Sequence, residues 1–308
     1  VFSRKKMFDD HVIHADGRVT IREVFEQSSN KGTALLIYNA FKDHPERYIE
    51  GLYALGLNTP LGTGIAGEAK PYIKHPKNKN SWYKTSLPWM SIGYEVNVSP
   101  MQLLTLYNAV ANNGKMMKPQ FVKEVRRGKQ VIEHFAPIVL NSKIASQKTI
   151  DSVKSMMEGV VLRGTGKGIR NNQFPIAGKT GTAQLYNVQH RAYKWINAEG
   201  RLERDYNTTF AGYFPANDPK YSCIVVISKP KANGWSGGRV AAPVFKEIAR
   251  KVYATRLGIR EEDGTIVDAE PTYLTAITHH DEAAHYMKEM NLPCIDYATS
   301  GEWARFSK

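Results

Sequence analysis

Three runs in the second half of the chain constrain the fold most. Residues 176–185, 208–214 and 221–228 are rich in apolar, β-branched and aromatic side chains at strand length. The turn Asn217-Asp218-Pro219 joins the second run to the third. A link that short leaves no room for a parallel crossover, so the pairing is antiparallel.

Helical patterns lie on either side of these runs. Thr20-Ile21-Arg22-Glu23 is a capping box that opens a helix, which should stop at Ser28-Ser29-Asn30. A second helix is predicted over 33–41, broken by His44-Pro45, and a third over 46–55. Residues 56–98 read as loop, with Trp82 and Trp89 pinning them to the body. Ser99 caps a helix whose first residue is Pro100 and whose stop is Asn112-Asn113-Gly114. Leu103, Leu104, Tyr107 and Val110 supply its apolar face. Further helices are expected over 147–160 and 240–254. The fold class is therefore α/β, as helices packed on an antiparallel sheet and not a repeating βαβ array. One domain is expected over 1–255. Residues 256–308 read as a separate tail in which Thr278 and Asp281 can cap a short helix to Met290.

The chain has 308 residues and a net charge of +13, from 42 basic and 29 acidic side chains. The basic residues are spread along it. The densest cluster, 123–129, flanks a turn at Arg127-Gly128-Lys129. Zinc-finger spacing, a basic zipper and an RNA-binding aromatic signature are all absent, so no nucleic-acid partner is expected. A basic surface also suits an anionic membrane face or cell wall. No apolar run approaches the ~18 residues of a membrane span, and no secretory leader is visible at Val1-Phe2-Ser3-Arg4. Cys223 lies in an apolar run and is expected to be a buried small hydrophobe; with Cys294 it makes no disulfide scaffold. His279, His280 and His285 lack His-Glu-x-x-His spacing, and neither metal nor cofactor is expected.

The chemistry concentrates in Phe174-Pro175-Ile176-Ala177-Gly178-Lys179-Thr180-Gly181-Thr182. Gly178-Lys179-Thr180 could close a phosphate loop. Such a loop needs a glycine where Gln173 stands, and Pro175 removes an amide from the cradle. The nearby Arg163-Gly164-Thr165-Gly166-Lys167-Gly168 lacks Gly-Lys-Ser/Thr at the right offset. The other reading pairs Lys179-Thr180-Gly181-Thr182 with Ser28-Ser29-Asn30. Penicillin-recognising serine acyltransferases bring together Ser-x-x-Lys, Ser-x-Asn and Lys-Thr-Gly. A serine hydroxyl is a weak nucleophile and needs a neighbouring base. A second serine can relay protons, an asparagine amide can hold a substrate amide, and a strand lysine supplies positive potential. The glycine lets a substrate lie along the strand edge as an added strand.

Beyond these two motifs, Leu55-Gly56-Leu57 with Thr63-Gly64-Ile65 and Gly67-Glu68, Ser91-Ile92-Gly93-Tyr94, Val98 to Leu103, Ala111 to Gly114 and Phe210 to Pro215 fill out one pattern. Over residues 8–255 the chain resembles the class B penicillin-binding proteins, bacterial peptidoglycan D,D-transpeptidases, and most closely their division-type members. The resemblance implies the penicillin-recognising, β-lactamase-like fold. It implies that Ser28 bridges the general base and Lys179, that Asn30 binds the substrate amide, and that Lys179 supplies electrostatics. Thr180 and Thr182 would hold the substrate carboxylate beside Gly181, and the Thr182 N–H would donate to the oxyanion. Partners would be peptidoglycan stem peptides, β-lactams and cell-division or cell-wall synthesis proteins, at the periplasmic or extracytoplasmic face of the membrane. The tail Asp281 to Leu292 is similar to the helix of PASTA modules, as an incomplete copy.

The family's Ser-x-x-Lys should lie upstream of Ser28 on a buried helix. Ser28-Ser29-Asn30-Lys31 overlaps the second motif, and Ser3-Arg4-Lys5-Lys6 is too close and too charged for a central helix. The nucleophile is therefore expected upstream of this chain, the domain is expected to be truncated on its N-terminal side, and the chain as given is expected to be inactive. Two alternatives stand beside a transpeptidase. One is a β-lactamase, although the spacing from Asn30 to Lys179 exceeds that of small β-lactamases. The other is a non-catalytic binding or sensor module of the same fold.

Overall fold

The structure, a computed structural model, describes residues 18–256 apart from 197–198 and 232–233, together with the backbone of 295–296 and 306–307. The backbone divides into two units between Lys246 and Glu247.

Thr20 and Glu23 cap each other's backbone and start α1 (Ile21–Glu26). The helix stops as expected, but Ser29 immediately caps α2 (Asn30–Phe41) by accepting from the Gly32 N–H. The second helix thus begins at Asn30, earlier than the expected residue 33, because the stop signal of one helix is also the cap of the next. Pro45 occupies the first position of α3 (Pro45–Ala54). The loop-rich stretch holds β1 (Tyr72–Ile73), α4 (Ser86–Met90) and β2 (Val96–Asn97), with β1 antiparallel to β2. Trp82 packs there on the cluster of Ile49, Leu57, Ile73 and Met90, and Trp89 meets Tyr94 edge-on.

Ser99 and Gln102 form a full capping box for α5 (Pro100–Ala111). Its buried face is Gln102, Thr105, Ala109, Val110 and Ala111, whereas Leu103, Leu104 and Tyr107 are only half-buried. Small residues bring the helix against the sheet, and Asn108 donates to Ser222 there. Gln102 is buried because it caps Ser99 and donates to the Thr59 carbonyl. After α5 come β3 (Met116–Met117), β4 (Glu124–Arg127), β5 (Gln130–His134) and β6 (Val139–Asn141). β4 and β5 are a hairpin around the expected Gly128 turn, and β3 pairs with β6. Next is α6 (Gln147–Leu162).

The central sheet is β7 (Ala177–Leu185), β10 (Asp205–Phe214) and β11 (Tyr221–Ser228), all antiparallel, in the order β11-β10-β7. β8 (Trp195–Ile196) and β9 (Leu202–Glu203) form a small hairpin between β7 and β10. Alternation along β10 sorts the core. Phe210 and Phe214 meet Phe245 of α7 (Gly237–Arg256) edge-on, at 4.8 and 5.8 Å between ring centroids. Tyr213 faces the other way, into the cluster of Val110, Met157 and Ala177. Cys223, on a strand that is outermost among the described residues, is half-buried, not buried as expected. In the second unit β12 (Ile295–Asp296) pairs with β13 (Phe306–Ser307). The expected tail helix, the tail histidines, Cys294 and Ser3 lie outside the described residues. Among the described residues no helix is long and apolar enough to cross a membrane.

The loop between α6 and β7 holds α1 in place. The Thr165 N–H donates to the Glu26 carbonyl at 3.1 Å, and Gln27 donates to the Arg163 carbonyl at 3.0 Å. The Arg163 guanidinium grips the Glu26 carboxylate at 2.6 and 3.1 Å. Glu26 is only 3% exposed, a buried charge that this pairing satisfies. Gly164 lies so close to the Glu26 carbonyl that a Cβ there would overlap it.

Gly164→Ala should therefore cost about 1–3 kcal/mol of stability, the usual range for forced overpacking. Gly168→Ala, which meets only open space, should change stability by no more than ~0.5 kcal/mol. Urea unfolding of the two variants measures the difference. Equal stabilities would show that the loop does not need its close approach to α1.

Candidate active site

The site forms where the end of α1 meets β7, the outer strand of the sheet among the described residues. Ser28 follows the last turn of α1 and has φ +55°, a left-handed conformation that favours glycine. Its own N–H donates to the Phe25 carbonyl, and the Ser29 N–H donates to the Val24 carbonyl. The chain accepts strain at a position where a glycine would relax it. The serine there presents its hydroxyl to β7.

Lys179 comes from β7, 151 residues later, and its ammonium donates to Ser28 Oγ at 2.7 Å. A second donation goes to the Thr180 carbonyl at 3.2 Å, and the Phe25 ring lies 5.9 Å away. Register places Lys179 opposite Ala211, on the sheet face that also carries Tyr213. Burial of the ammonium pushes the Lys179 pKa down to about 8. Because the ammonium donates, Ser28 accepts and keeps its own proton to give elsewhere.

Thr180 and Thr182 point to the opposite face of β7, toward the start of α7. Thr180 Oγ1 is 2.6 Å from Thr165 Oγ1. Thr182 Oγ1 accepts from the Gly237 N–H at 3.0 Å. Gly237 must be a glycine, since a Cβ would run into the carbonyls of Gly181 and Thr209. Gly181 itself has room, with Thr209 Cβ the nearest atom at 3.5 Å from an added Cβ. Among the described residues β7 has a strand partner on one edge only, β10. Asn30 is half-buried at the first position of α2, two residues from Ser28.

The structure thus brings the two motifs together at Ser28 and Lys179. It also rules out a phosphate loop, because Gly178-Lys179-Thr180 lies inside a strand and not at a helix N-terminus. Sequence reading missed Thr165 and Gly237, which hold the two threonine hydroxyls. The glycine cluster around Thr165 was the available signal, weighed only as a phosphate cradle. Two further Ser-x-x-Lys strings, Ser81-Trp82-Tyr83-Lys84 and Ser228-Lys229-Pro230-Lys231, lie downstream of Ser28. Ser81 donates to the Asn78 carbonyl in a turn, and Ser228 ends β11 opposite Asn207. Neither is a partner of Lys179.

A family model described as the penicillin binding protein transpeptidase domain matches residues 3–250. Penicillin-binding protein PbpB of Mycolicibacterium smegmatis is 32% identical over 239 residues, covering 75% of this chain and 34% of that protein. Peptidoglycan D,D-transpeptidase FtsI of Buchnera aphidicola is 29% identical over 253 residues, 79% of this chain and 39% of its own length. Among solved structures, apo penicillin binding protein 3 from Mycobacterium tuberculosis matches with a TM-score of 0.64 and 29% identity, over 76% of this chain and 51% of that one. The same protein has been solved in complex with ampicillin and with aztreonam. The chain spans between a third and two fifths of these two curated relatives. With the match running from residue 3 to residue 250 and the two motifs meeting at Ser28 and Lys179, this chain belongs to the penicillin-binding protein transpeptidase family.

Proposed function

We propose that this chain carries the Ser-x-Asn and Lys-Thr-Gly half of a peptidoglycan D,D-transpeptidase site. The observation that carries the reading is the 2.7 Å bond from Lys179 to Ser28, made by a buried ammonium on a strand whose other edge has no strand partner among the described residues. In this reading a serine of a Ser-x-x-Lys motif preceding Ser28 attacks the carbonyl of the penultimate D-alanine. The terminal D-alanine leaves with its amine, and an amine from a neighbouring stem takes the acyl group. Ser28 passes the proton between that motif and Lys179. Asn30 holds the substrate amide. The Thr182 N–H donates to the oxyanion, and the hydroxyls of Thr180 and Thr182 hold the carboxylate. A β-lactam presents a carboxylate and a strained amide to the same groups. The whole protein would act on the extracytoplasmic side of the membrane with cell-division or wall-synthesis proteins.

Lys179→Ala in the full-length protein should slow acylation by a chromogenic β-lactam by about 10²–10³, the cost of losing one such electrostatic donor. Circular dichroism controls for folding. A well-folded variant that acylates at the parental rate would contradict the assignment.

The pH profile tests the same lysine differently. With a pKa of about 8, Lys179 is charged below that value and loses its charge as pH rises through it. If the positive charge is what acts, acylation falls through the same range. Lys179→Arg stays charged, so the variant, although slower, should lose that alkaline limb. A wild-type rate that climbs through pH 8 would instead make neutral Lys179 a proton acceptor.

A further inference from the structure

The two threonine hydroxyls of β7 have different supports with one consequence. A hydroxyl carries one proton and two acceptor sites. Thr182 Oγ1 accepts from the Gly237 N–H, which cannot be reversed, so the Thr182 proton is left for an outside acceptor. Thr180 Oγ1 faces Thr165 Oγ1 at 2.6 Å, and that bond can run either way. A carboxylate can only accept. Once one stands before Thr180, the Thr180 proton goes to it, and the bond from Thr165 must then run as a donation to Thr180. Aligned donors polarise one another and strengthen the last bond.

We infer that Thr165 is a positioning residue that holds Thr180 as a proton donor toward a substrate carboxylate. This rests on the transpeptidase reading above. The placement of Thr165 supports it. Its N–H is fixed by the Glu26 carbonyl on α1. Its carbonyl lies so near Gly238 that a Cβ on Gly238 would overlap it. The Thr165 backbone is therefore fitted between α1 and the start of α7, with its hydroxyl against that of Thr180. Through the same loop, Thr165 ties the segment before Ser28 to the strand of Lys179.

The test compares an N-acyl-D-alanyl-D-alanine peptide with its C-terminal carboxamide, by affinity in an NMR titration of the full-length protein. Wild-type protein should prefer the carboxylate peptide. Thr165→Val, equal in shape but without the hydroxyl, should lower that preference by about three- to tenfold, the scale of one supporting hydrogen bond. Affinity for the carboxamide should hold, and Thr165→Ser should keep the preference. Thr165→Ala replaces the valine variant if circular dichroism shows misfolding. A purely structural Thr165 would weaken both ligands alike. A wild-type preference that survives in Thr165→Val overturns the inference alone. Wild-type protein that binds the two ligands equally, or neither, overturns the reading of the strand and this inference with it.

Discussion

An ammonium taken out of water needs acceptors, and Lys179 has Ser28 Oγ and the Thr180 carbonyl. Desolvation costs the charged form, and its lowered pKa expresses that cost. The rest of the structure serves to keep this pair together. Ser28 must be offered at the end of a helix in a left-handed conformation. That helix must be held to the strand, so Glu26, Gln27, Arg163 and Thr165 bond across the gap between α1 and the loop before β7.

The sheet divides the labour by alternation. Lys179 shares its face with Ala211 and Tyr213, on the side where α5 and α6 pack. Thr180 and Thr182 share the opposite face, where the start of α7 reaches them. Close approach on that side depends on Gly237 and Gly238, where side chains would meet backbone carbonyls. A one-residue shift of β7 would exchange these faces and send Lys179 toward α7. The nine register pairs with β10, from Tyr213↔Ala177 to Asp205↔Leu185, hold it against such a slip.

Much of this was legible in the chain because local chemistry decided it. Thr20-Glu23 and Ser99-Gln102 are capping boxes in sequence and in structure. The strand at 221–228 and the start of α5 at Pro100 follow from turn and cap residues. The two-residue strands β1, β2 and β3 were not legible, since a pair of residues has no period to read. The buried face of α5 was legible only in part: Val110 is buried as expected, but tertiary contact buries Ala109 and Ala111 while Leu103 and Leu104 stay half-buried. In the site, Ser28 and Lys179 could be paired by motif. Thr165 could not, because its role is made by a contact with Thr180 that no local pattern announces. Ser28 offered one unused clue, a serine where a helix stop favours glycine.

The most direct measurement is the titration of Lys179 itself. In protein labelled at lysine Cε, one resonance should titrate near pH 8, and it should be absent from Lys179→Ala. Replacing Ser28 with alanine should remove an acceptor from the ammonium and lower that pKa further. A Lys179 that titrates near the ordinary lysine value of about 10.4, unmoved by Ser28→Ala, would contradict the half-buried Ser28–Lys179 pair on which this account of the site stands.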